Sequence, residues 1–427
     1  MSKSKKIMAG AGEKFQSLGL EFNDSTIRFV LRYPGIIDPD ILSAATRTII
    51  QQVDILHGSF YNDAISAYWE IHEEYSESSY FQYIRTEGDP FVTAQSISLL
   101  PVCFDSKCQL RVCLVQNDTE SVVAVNISHL CVDGGDGKYL LNKLAESYRL
   151  FAGGSDEGLA VKNGQRAPEQ IYQGLSLKEM ASLIKMPGSD VKSEFRFVND
   201  LPGRNRMVRV VIPAETMAAA RKKAKTIGAT ANDILLTAVY RAYAELSYVD
   251  DNGPMSVMSM MDLRRHCADG ESDGLSNMSG TFPTKLMEGV QGDFSHTLEQ
   301  VAEQTRQMKE DPLAGMDSMP LIHGAVRTIP MKLLLMVAGK FYGSMALGLT
   351  NLGNMDCKAL AMGEIIPTEG LFGGPLKKKP AMQISAASFD GSCSLCIVGQ
   401  YTSEDAVMLQ AFLDHMEEEI TAYAKEK

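Results

Sequence analysis

Alternating and helical patterns of hydrophobic positions divide the chain into strands and helices. Two β-like runs, 109–116 and 121–128, flank turn residues at 117–118, which predicts a hairpin. After a glycine-containing loop at 133–137, leucines and aromatic residues recur at helical spacing over 138–151. The pattern therefore predicts a strand, a tight turn and a helix in succession.

The second part of the chain alternates strands and helices in the same way. Asp390 and Gly391 form a pair that favours a type I′ turn between two strands. The predicted elements are a strand over 207–212, a helix over 214–227 ended by Gly228, a helix capped by Thr230, a strand over 255–261, a helix over 294–309, a strand ending at Thr350, a hairpin over 382–398 and a helix over 403–423.

The segment 153–190 separates these two parts. It loses hydrophobic periodicity and gathers glycine, proline and charged residues, which is typical of a crossover between structural units. We expect an N-terminal unit over 1–175 and a C-terminal unit over 176–427. The alternation of strands with helices indicates an α/β or α+β protein.

The apolar stretch 331–350 approaches the length of a membrane span. Lys332 and Lys340, together with Gly339 and Gly343, interrupt it, so a buried helix is the expected structure. The basic first residues precede a short, glycine-broken apolar run, unlike the core of a signal peptide. We therefore expect no transmembrane segment and a cytoplasmic location.

Composition narrows the classes of function. Hydrophobic residues make up 45% and charged residues 22% of the 427 positions, which fits an ordered globular protein. A formal net charge of −12 disfavours nucleic acid as a partner. The eight cysteines show no disulfide-scaffold rhythm, and the histidines show no metal-ligand spacing. Cys393 and Cys396 form a C-x-x-C, but it lies in an alternating strand pattern where residues three apart face opposite sides, so we predict reduced thiols and no metal site.

The segment Ser128-His129-Leu130-Cys131-Val132-Asp133-Gly134-Gly135 carries the candidate chemistry. It lies where a strand gives way to a glycine-rich turn, and a neutral imidazole there can accept a proton from an alcohol, amine or thiol. A lone histidine at a strand end is more often structural, so this pattern alone leaves both interpretations open.

The same segment resembles the His-His-x-x-x-Asp-Gly motif of the chloramphenicol acetyltransferase (CAT) superfamily. That superfamily includes peptide-synthetase condensation domains, alcohol acetyltransferases and BAHD acyltransferases. Further similar segments follow in the order of the family: Thr-Ala-Asn-Asp-Ile-Leu-Leu at 230–236, Met-Asp-Leu-Arg-Arg at 261–265, Asn277, Thr-Asn-Leu-Gly at 350–353 and Ser-Phe-Asp-Gly at 388–391.

The resemblance implies two CAT-like subdomains that form a pseudo-dimer with a central tunnel. His129 matches the catalytic histidine, while Ser128 stands in place of the first histidine of the motif. Asp133, Ser128 and Gly134 are implied to support the loop, with Asp133 paired to an arginine. Because His57 occupies a position where the family often has arginine, Arg28, Arg32 and Arg264 all stay candidates for that pairing.

The implied activity is transfer of an acyl group from a CoA thioester to a hydroxyl or amine of a small molecule, with no permanently bound cofactor. The alternatives are a free-standing condensation enzyme that uses the phosphopantetheinyl thioester of a carrier protein in trans, and a catalytically silent docking module. We expect a monomer. Backbone amides of Gly134 and Gly135, or the Asn351 side chain, are candidate oxyanion donors. For Asn351 a turn-forming role is the alternative.

Two more features could bear on the site. Lys377, Lys378 and Lys379 follow a glycine-rich stretch and could bind the phosphates of CoA or phosphopantetheine, although a solvated loop explains them as well. Cys131 lies two residues from His129 and invites interpretation as a nucleophile, but a buried structural thiol is the expected role.

Overall fold

The computed structural model describes residues 5–62, 66–155, 159–185, 191, 193–246, 253–336 and 347–426. Their strands are β1 Lys5–Met8, β2 Thr26–Tyr33, β3 Gly58–Asn62, β4 Ala67–Ile71, β5 Phe81–Arg85, β6 Leu110–Gln116, β7 Ser121–Ser128, β8 Arg204–Ile212, β9 Met255–Asp262, β10 Ser279–Leu286, β11 Leu347–Met355, β12 Glu369–Gly373, β13 Met382–Phe389 and β14 Ser392–Tyr401. These strands build two main sheets and one small sheet.

Helices pack against both main sheets. They are α1 Ala11–Leu18, α2 Pro39–Gln52, α3 Pro90–Ser98, α4 Gly134–Ala152, α5 Leu177–Ser182, α6 Ala214–Ala224, α7 Ala231–Leu246, α8 Phe294–Glu310, α9 Met319–Thr328, α10, which includes 331–336, and α11 Ser403–Lys425. The mixture of helices with largely antiparallel sheets confirms the α/β (α+β) class.

Each half of the chain is centred on one sheet. The first has five strands in the order β12-β2-β7-β6-β5, and the second has six in the order β10-β9-β11-β13-β14-β8. Strand β12 comes from the second half of the sequence but pairs antiparallel with β2, with Leu371 opposite Val30. The second half therefore completes the sheet of the first.

The predicted hairpins are confirmed, because β6 pairs with β7 and β13 pairs with β14 in antiparallel register. The predicted loop over 133–137 is wrong. Helix α4 begins at Gly134 because Asp133 caps it, its side chain accepting a hydrogen bond of 3.0 Å from the Asp136 amide. The capping aspartate extends the helix by one turn towards His129, beyond the start that the leucine spacing indicates.

The segment between the halves contains more structure than its composition indicates. It includes a short 3-10 helix, Pro168–Tyr172, and helix α5. Ile171 packs with Leu263, Met278 and Met316 of the second half. The unit boundary at residue 175 stays a prediction, and residues on its N-terminal side already contact the C-terminal unit.

Part of the long apolar stretch lies outside the described residues. Its beginning, 331–336, is helical, and its end belongs to β11, whereas 337–346 are not described. Within the described part of the chain, no helix combines the length and the apolar character that crossing a membrane needs. The same residues contain no cluster of potential metal ligands.

Candidate active site

His129 follows directly after the last residue of β7. Its backbone amide donates a hydrogen bond of 2.7 Å to the carbonyl of Ser25, which precedes β2. The carbonyl of Ser128 accepts from the Cys131 amide at 3.0 Å, which turns the chain away from the sheet. The residue as a whole keeps an intermediate solvent exposure.

The ring is held by a residue of the second half. Nδ2 of Asn277, just before β10, lies 2.8 Å from Nδ1 of His129 and 3.4 Å from its carbonyl oxygen. Oδ1 of Asn277 accepts from the Ser279 amide at 3.2 Å. Because Asn277 occupies the Nδ1 side, Nε2 is the ring nitrogen left for a substrate. Sequence comparison assigned Asn277 to a motif but gave it no role.

Burial lowers the pKa of His129 below its ordinary value of 6.5. The charge of Asp133 and hydrogen bonds to backbone carbonyls oppose this shift, and the positive charge of Lys377 reinforces it. The net direction is downward. The ring is therefore neutral at pH 7, the state that a general base needs.

Asp133 points away from the imidazole and pairs with Arg264. Nη1 of Arg264 lies 2.9 Å from Oδ2 of Asp133, and Nη2 lies 3.1 Å from Oδ1, which is a bidentate geometry. Both side chains are buried. Of the three candidate arginines, the structure therefore pairs Arg264 with Asp133; Arg28 contacts Asp24 instead, and Arg32 contacts acidic residues around β2.

Arg264 also forms ion pairs with two further carboxylates. It lies 2.9 Å from Asp136 and 3.0 Å from Asp262, while Lys162 lies 2.6 Å from the other oxygen of Asp136. Burial and the neighbouring Asp133 raise the pKa of Asp136, whereas Arg264 outweighs burial and lowers the pKa of Asp133. This ion cluster joins the start of α4 to the segment after β9, and so holds the two halves together beside His129.

A further cation braces the other side of the loop. Arg166 donates to the carbonyl of Cys131 at 3.2 Å and pairs with Glu13 at 3.1 Å. Arg166 and Glu13 also line a cavity of about 440 Å³. Sequence analysis missed Arg166 and Lys162, because both lie in the aperiodic crossover, where nothing in the pattern distinguishes a buried cation from a solvated one.

Ser128 and the two glycines occupy crowded positions. Ser128 is buried, and its amide donates to the Gln109 carbonyl at 2.9 Å. A Cβ atom on Gly134 would lie 2.5 Å from Cδ2 of Leu352, and one on Gly135 would lie 3.1 Å from Nη1 of Arg264. A side chain at either position would meet these atoms, more closely at Gly134 than at Gly135. The support of the loop by Gly134 stays a prediction.

Asn351 holds its own strand in place. Its Oδ1 accepts from the Gly353 amide at 2.9 Å, and its Nδ2 donates to Oδ1 of Asn232 at 3.3 Å. The first contact is the turn-forming geometry that sequence analysis gave as the alternative. Among the described residues no hydrogen bond joins Asn351 to His129, and its part in stabilising an oxyanion stays a prediction.

The three consecutive lysines have different surroundings. Lys378 is exposed and donates to the Glu21 carbonyl at 2.8 Å, while Lys379 forms an ion pair with the buried Asp405 at 2.5 Å. Lys377 is partly buried and acts on the pKa of His129. The three lysines predicted to bind phosphate therefore do not act as one group. Lys378 makes a surface contact, Lys379 forms an ion pair, and the charge of Lys377 affects the candidate base.

Cys131 has the surroundings of a structural thiol. It is fully buried, its Sγ donates to the Ile55 carbonyl at 3.7 Å, and burial raises its pKa to about 12. The neutral thiol dominates at pH 7, and the thiolate is the nucleophilic form. The surroundings agree with the expected structural role.

No protein-family profile matches this sequence, and no curated protein is significantly similar to it. Solved structures, in contrast, match along nearly the whole chain. Polyketide synthase associated protein 5 from Mycobacterium tuberculosis superimposes with a TM-score of 0.68 at 13% identity, covering 99% of both chains. The first condensation domain of the CDA synthetase gives 0.69 at 17% identity, covering 99% of this chain and 98% of that one.

An acetyltransferase is equally similar in structure. TRI3 trichothecene 15-O-acetyltransferase from Fusarium sporotrichioides gives a TM-score of 0.69 at 15% identity, covering 98% of this chain and 95% of that one. Identities this low establish shared architecture. The chain therefore shares the fold of that condensation domain and that acetyltransferase.

Proposed function

We propose that this protein is an acyltransferase that moves an acyl group from a CoA thioester to a hydroxyl or amine of a small molecule, with His129 as the general base. The observation that carries the proposal is the state of His129. Burial lowers the pKa of its imidazole, which favours the neutral ring, and Asn277 lies on its Nδ1 side. The CAT-like fold supports the same reaction class.

The proposed reaction needs one proton carrier. Nε2 of His129 takes the proton from the acceptor as the acceptor oxygen or nitrogen bonds to the thioester carbonyl carbon. The carbonyl becomes a tetrahedral oxyanion, which then collapses and breaks the carbon–sulfur bond. The departing thiolate receives the proton from Nε2, so that an ester or amide and a free thiol are released without a covalent enzyme intermediate.

This use of Nε2 requires the ring proton on Nδ1. The carbonyl oxygen of His129 lies within reach of the Nδ2 group of Asn277. The same oxygen is also an acceptor for Nδ1–H of the ring. Oδ1 of Asn277 becomes a second acceptor when the amide group turns over. With the amide turned over, Asn277 favours the Nδ1–H tautomer that the reaction needs, whereas the orientation in which Nδ2 faces Nδ1 favours the proton on Nε2.

The oxyanion needs fixed donors. Gly134 and Gly135 are the first two residues of α4, and amides at these positions have no acceptor within their own helix. The Asp133 side chain takes the amide of the third residue, Asp136, and leaves the first two unsatisfied by the cap. We therefore assign the oxyanion to the Gly134 and Gly135 amides, where the positive end of the helix dipole also favours negative charge.

The test is a thiol-release assay on the purified full chain. Acyl-CoAs of increasing chain length are supplied with mixed alcohols and amines, and acylated products are identified by mass spectrometry. His129→Ala is expected to slow release by about 10²- to 10⁴-fold, the usual contribution of a general base. His296→Ala, which changes an exposed histidine on α8, is the matched control and should retain the wild-type rate.

A second arm of the assay identifies the donor. Acyl groups on a phosphopantetheinylated carrier protein replace acyl-CoA under the same conditions. Transfer from the carrier alone would assign the protein to the condensation type. If wild type and His129→Ala are equally inactive on both donors, the enzyme proposal is wrong, and a silent docking module becomes the explanation of the fold.

A further inference from the structure

The cavity lined by Arg166 and Glu13 is distinct from the candidate active site. Its volume of about 440 Å³ is within the range of small-molecule sites, which is roughly 300–1,000 Å³. Its lining comes mainly from β1, α1, β4 and the segments 54–55 and 163–167, and His129 is not part of it. A molecule in this cavity therefore leaves the candidate base free.

Trp69, the single tryptophan of the chain, belongs to the apolar part of the wall. It lies in β4 directly opposite Ile7 of β1, so the two side chains project from the same face of the small sheet. Ile55, in the 3-10 helix after α2, adds a second aliphatic residue to the lining. This part of the wall suits an aromatic or aliphatic group.

The indole N–H of Trp69 is buried and has no acceptor among the described residues. A Cβ atom on Gly58 would lie 3.4 Å from Cε3 of Trp69, so this edge of the ring faces β3. Nε1 lies on the opposite edge of the indole, and β1 flanks β4 on the side opposite to β3. The N–H therefore points towards the β1 side, where Ile7 lines the cavity.

A buried donor without an acceptor is unfavourable, and native proteins usually satisfy such groups with a protein acceptor, a water molecule or a ligand. An oxygen atom of a molecule in the cavity would supply the acceptor that Trp69 lacks. The wall therefore favours a ligand that has an accepting oxygen as well as an apolar body.

The charged groups of the wall are already paired. Glu13 accepts from Arg166 at 3.1 Å and from the Gly10 amide at 2.9 Å, while Asp54 forms an ion pair with Lys5. The other guanidinium donors of Arg166 contact main-chain carbonyls. A charged ligand would compete with these pairs, whereas a neutral ligand leaves them intact.

Arg166 connects the cavity to both residues of the candidate site. Its guanidinium donates to the carbonyl of Cys131 at 3.2 Å, two positions after His129. It also donates to the carbonyl of Leu275, two positions before Asn277. A molecule bound against Arg166 therefore acts on the segments that carry the imidazole and its amide partner.

We propose that this cavity is a regulatory site for a neutral small molecule with an aromatic or aliphatic body and an accepting oxygen, such as an alcohol. The oxygen accepts from the indole N–H of Trp69, and the body packs on Ile7. Contact with Arg166 changes the surroundings of His129. This inference goes beyond the proposed acyl transfer, and its tests need no turnover.

Trp69 reports on the cavity directly, because no other tryptophan contributes to the fluorescence of the full chain. Benzyl alcohol, titrated under excitation that is selective for tryptophan, should give a saturable change in emission. Toluene, benzoate and benzylamine should each bind about tenfold more weakly, because toluene lacks the oxygen and the other two are charged. This comparison of four probes is made on the wild-type protein and needs no variant.

Ile7→Phe fills the cavity beside Trp69 and should abolish the saturable change. Ile36→Phe is the matched control, because it makes the same change at an exposed isoleucine outside the lining, and it should bind as wild type does. Trp69→Phe removes the N–H and keeps an aromatic ring. Benzyl alcohol should raise the melting temperature of wild type and of Ile36→Phe but not that of Trp69→Phe.

The regulatory role is tested on His129 by NMR of protein with labelled histidine. Saturating benzyl alcohol should shift the ring signals of His129 and leave those of His296, which is exposed on α8, unchanged. Arg166→Lys keeps the positive charge but has too few donors for the same set of carbonyls. In this variant the shift of His129 should be lost while the emission of Trp69 still responds.

Four results would overturn the inference. They are a change in emission that does not saturate, equal affinity for toluene and benzyl alcohol, unchanged binding in a folded Ile7→Phe variant, and His129 signals that stay in place when the cavity is saturated. Circular dichroism shows which variants are folded. Acyl transfer by His129 is measured separately, so that either conclusion stands or falls without the other.

Discussion

At the scale of single residues, the chemistry depends on how Asn277 orients His129. The asparagine comes from the second half of the chain, and the histidine comes from the first. An amide partner leaves the ring uncharged, whereas a carboxylate at the same place would stabilise the protonated ring. The neutral partner therefore matches the downward direction of the pKa of His129.

Asn277→Asp tests this orientation. A carboxylate about 3 Å from Nδ1 should raise the pKa of His129 by roughly one to three units, because opposite charges favour the imidazolium. The change is measured by NMR titration of the ring protons. Asn354→Asp, which adds the same charge at an exposed position, should shift the pKa much less. Equal values in both variants would remove Asn277 from the site.

At the scale of elements, the close packing of α4 against β11 fixes the position of the segment 129–135 that follows β7. Gly134 begins the helix, and Leu352 in β11 packs directly on its Cα. The cap by Asp133 ties the same turn to Arg264. Hydrophobic spacing identified the body of α4 but not its first turn, because the three glycines and one aspartate of 134–137 carry no periodic signal. Capping chemistry supplies that signal.

Gly134→Ala should destabilise the protein by about 1–3 kcal/mol, since an added methyl group 2.5 Å from Leu352 overpacks this contact. Urea unfolding measures the effect. Adding Leu352→Ala to it should cost less than the sum of the single changes. Gly324→Ala is the control, because nothing lies within 4 Å of its new Cβ in α9 and helix propensity favours alanine there. Equal effects at both glycines would contradict the packing account.

At the scale of the whole molecule, two connections make one unit from two halves. Strand β12 completes the first sheet, and Arg264 of the second half neutralises Asp133 of the first. The site therefore exists only when both halves are in place. Removing one partner of a buried ion pair leaves the other charge desolvated, so the loss of either partner at this contact is strongly destabilising.

Arg264→Met should lower the free energy of unfolding by about 3–5 kcal/mol, because Asp133 loses its bidentate partner. Arg265→Met changes the exposed neighbour and should stay within about 0.5 kcal/mol of wild type. Both are measured by urea unfolding. Similar values for the two variants would show that the cluster does not hold the halves together.

Sequence patterns predicted the alternation of strands and helices, both hairpins and the place of His129 at a strand end. They left the partner of Asp133 open among three arginines, since pairing across the halves depends on how β9 and α4 meet. Strand β12 carried no pattern of its own, because glycines interrupt it and its partner strand lies more than 300 positions earlier. Lys377, Lys378 and Lys379 look alike in sequence, and only the structure separates the surface contact of Lys378 from the ion pair of Lys379.

The most direct test of the central claim is the pH dependence of single-turnover thiol release in wild type and His129→Ala. With His129 as a neutral general base, the wild-type rate should fall at acidic pH with an inflection below 6.5, and the variant should lack this inflection. The same acidic inflection in both proteins would show that another group carries the proton and would contradict the account.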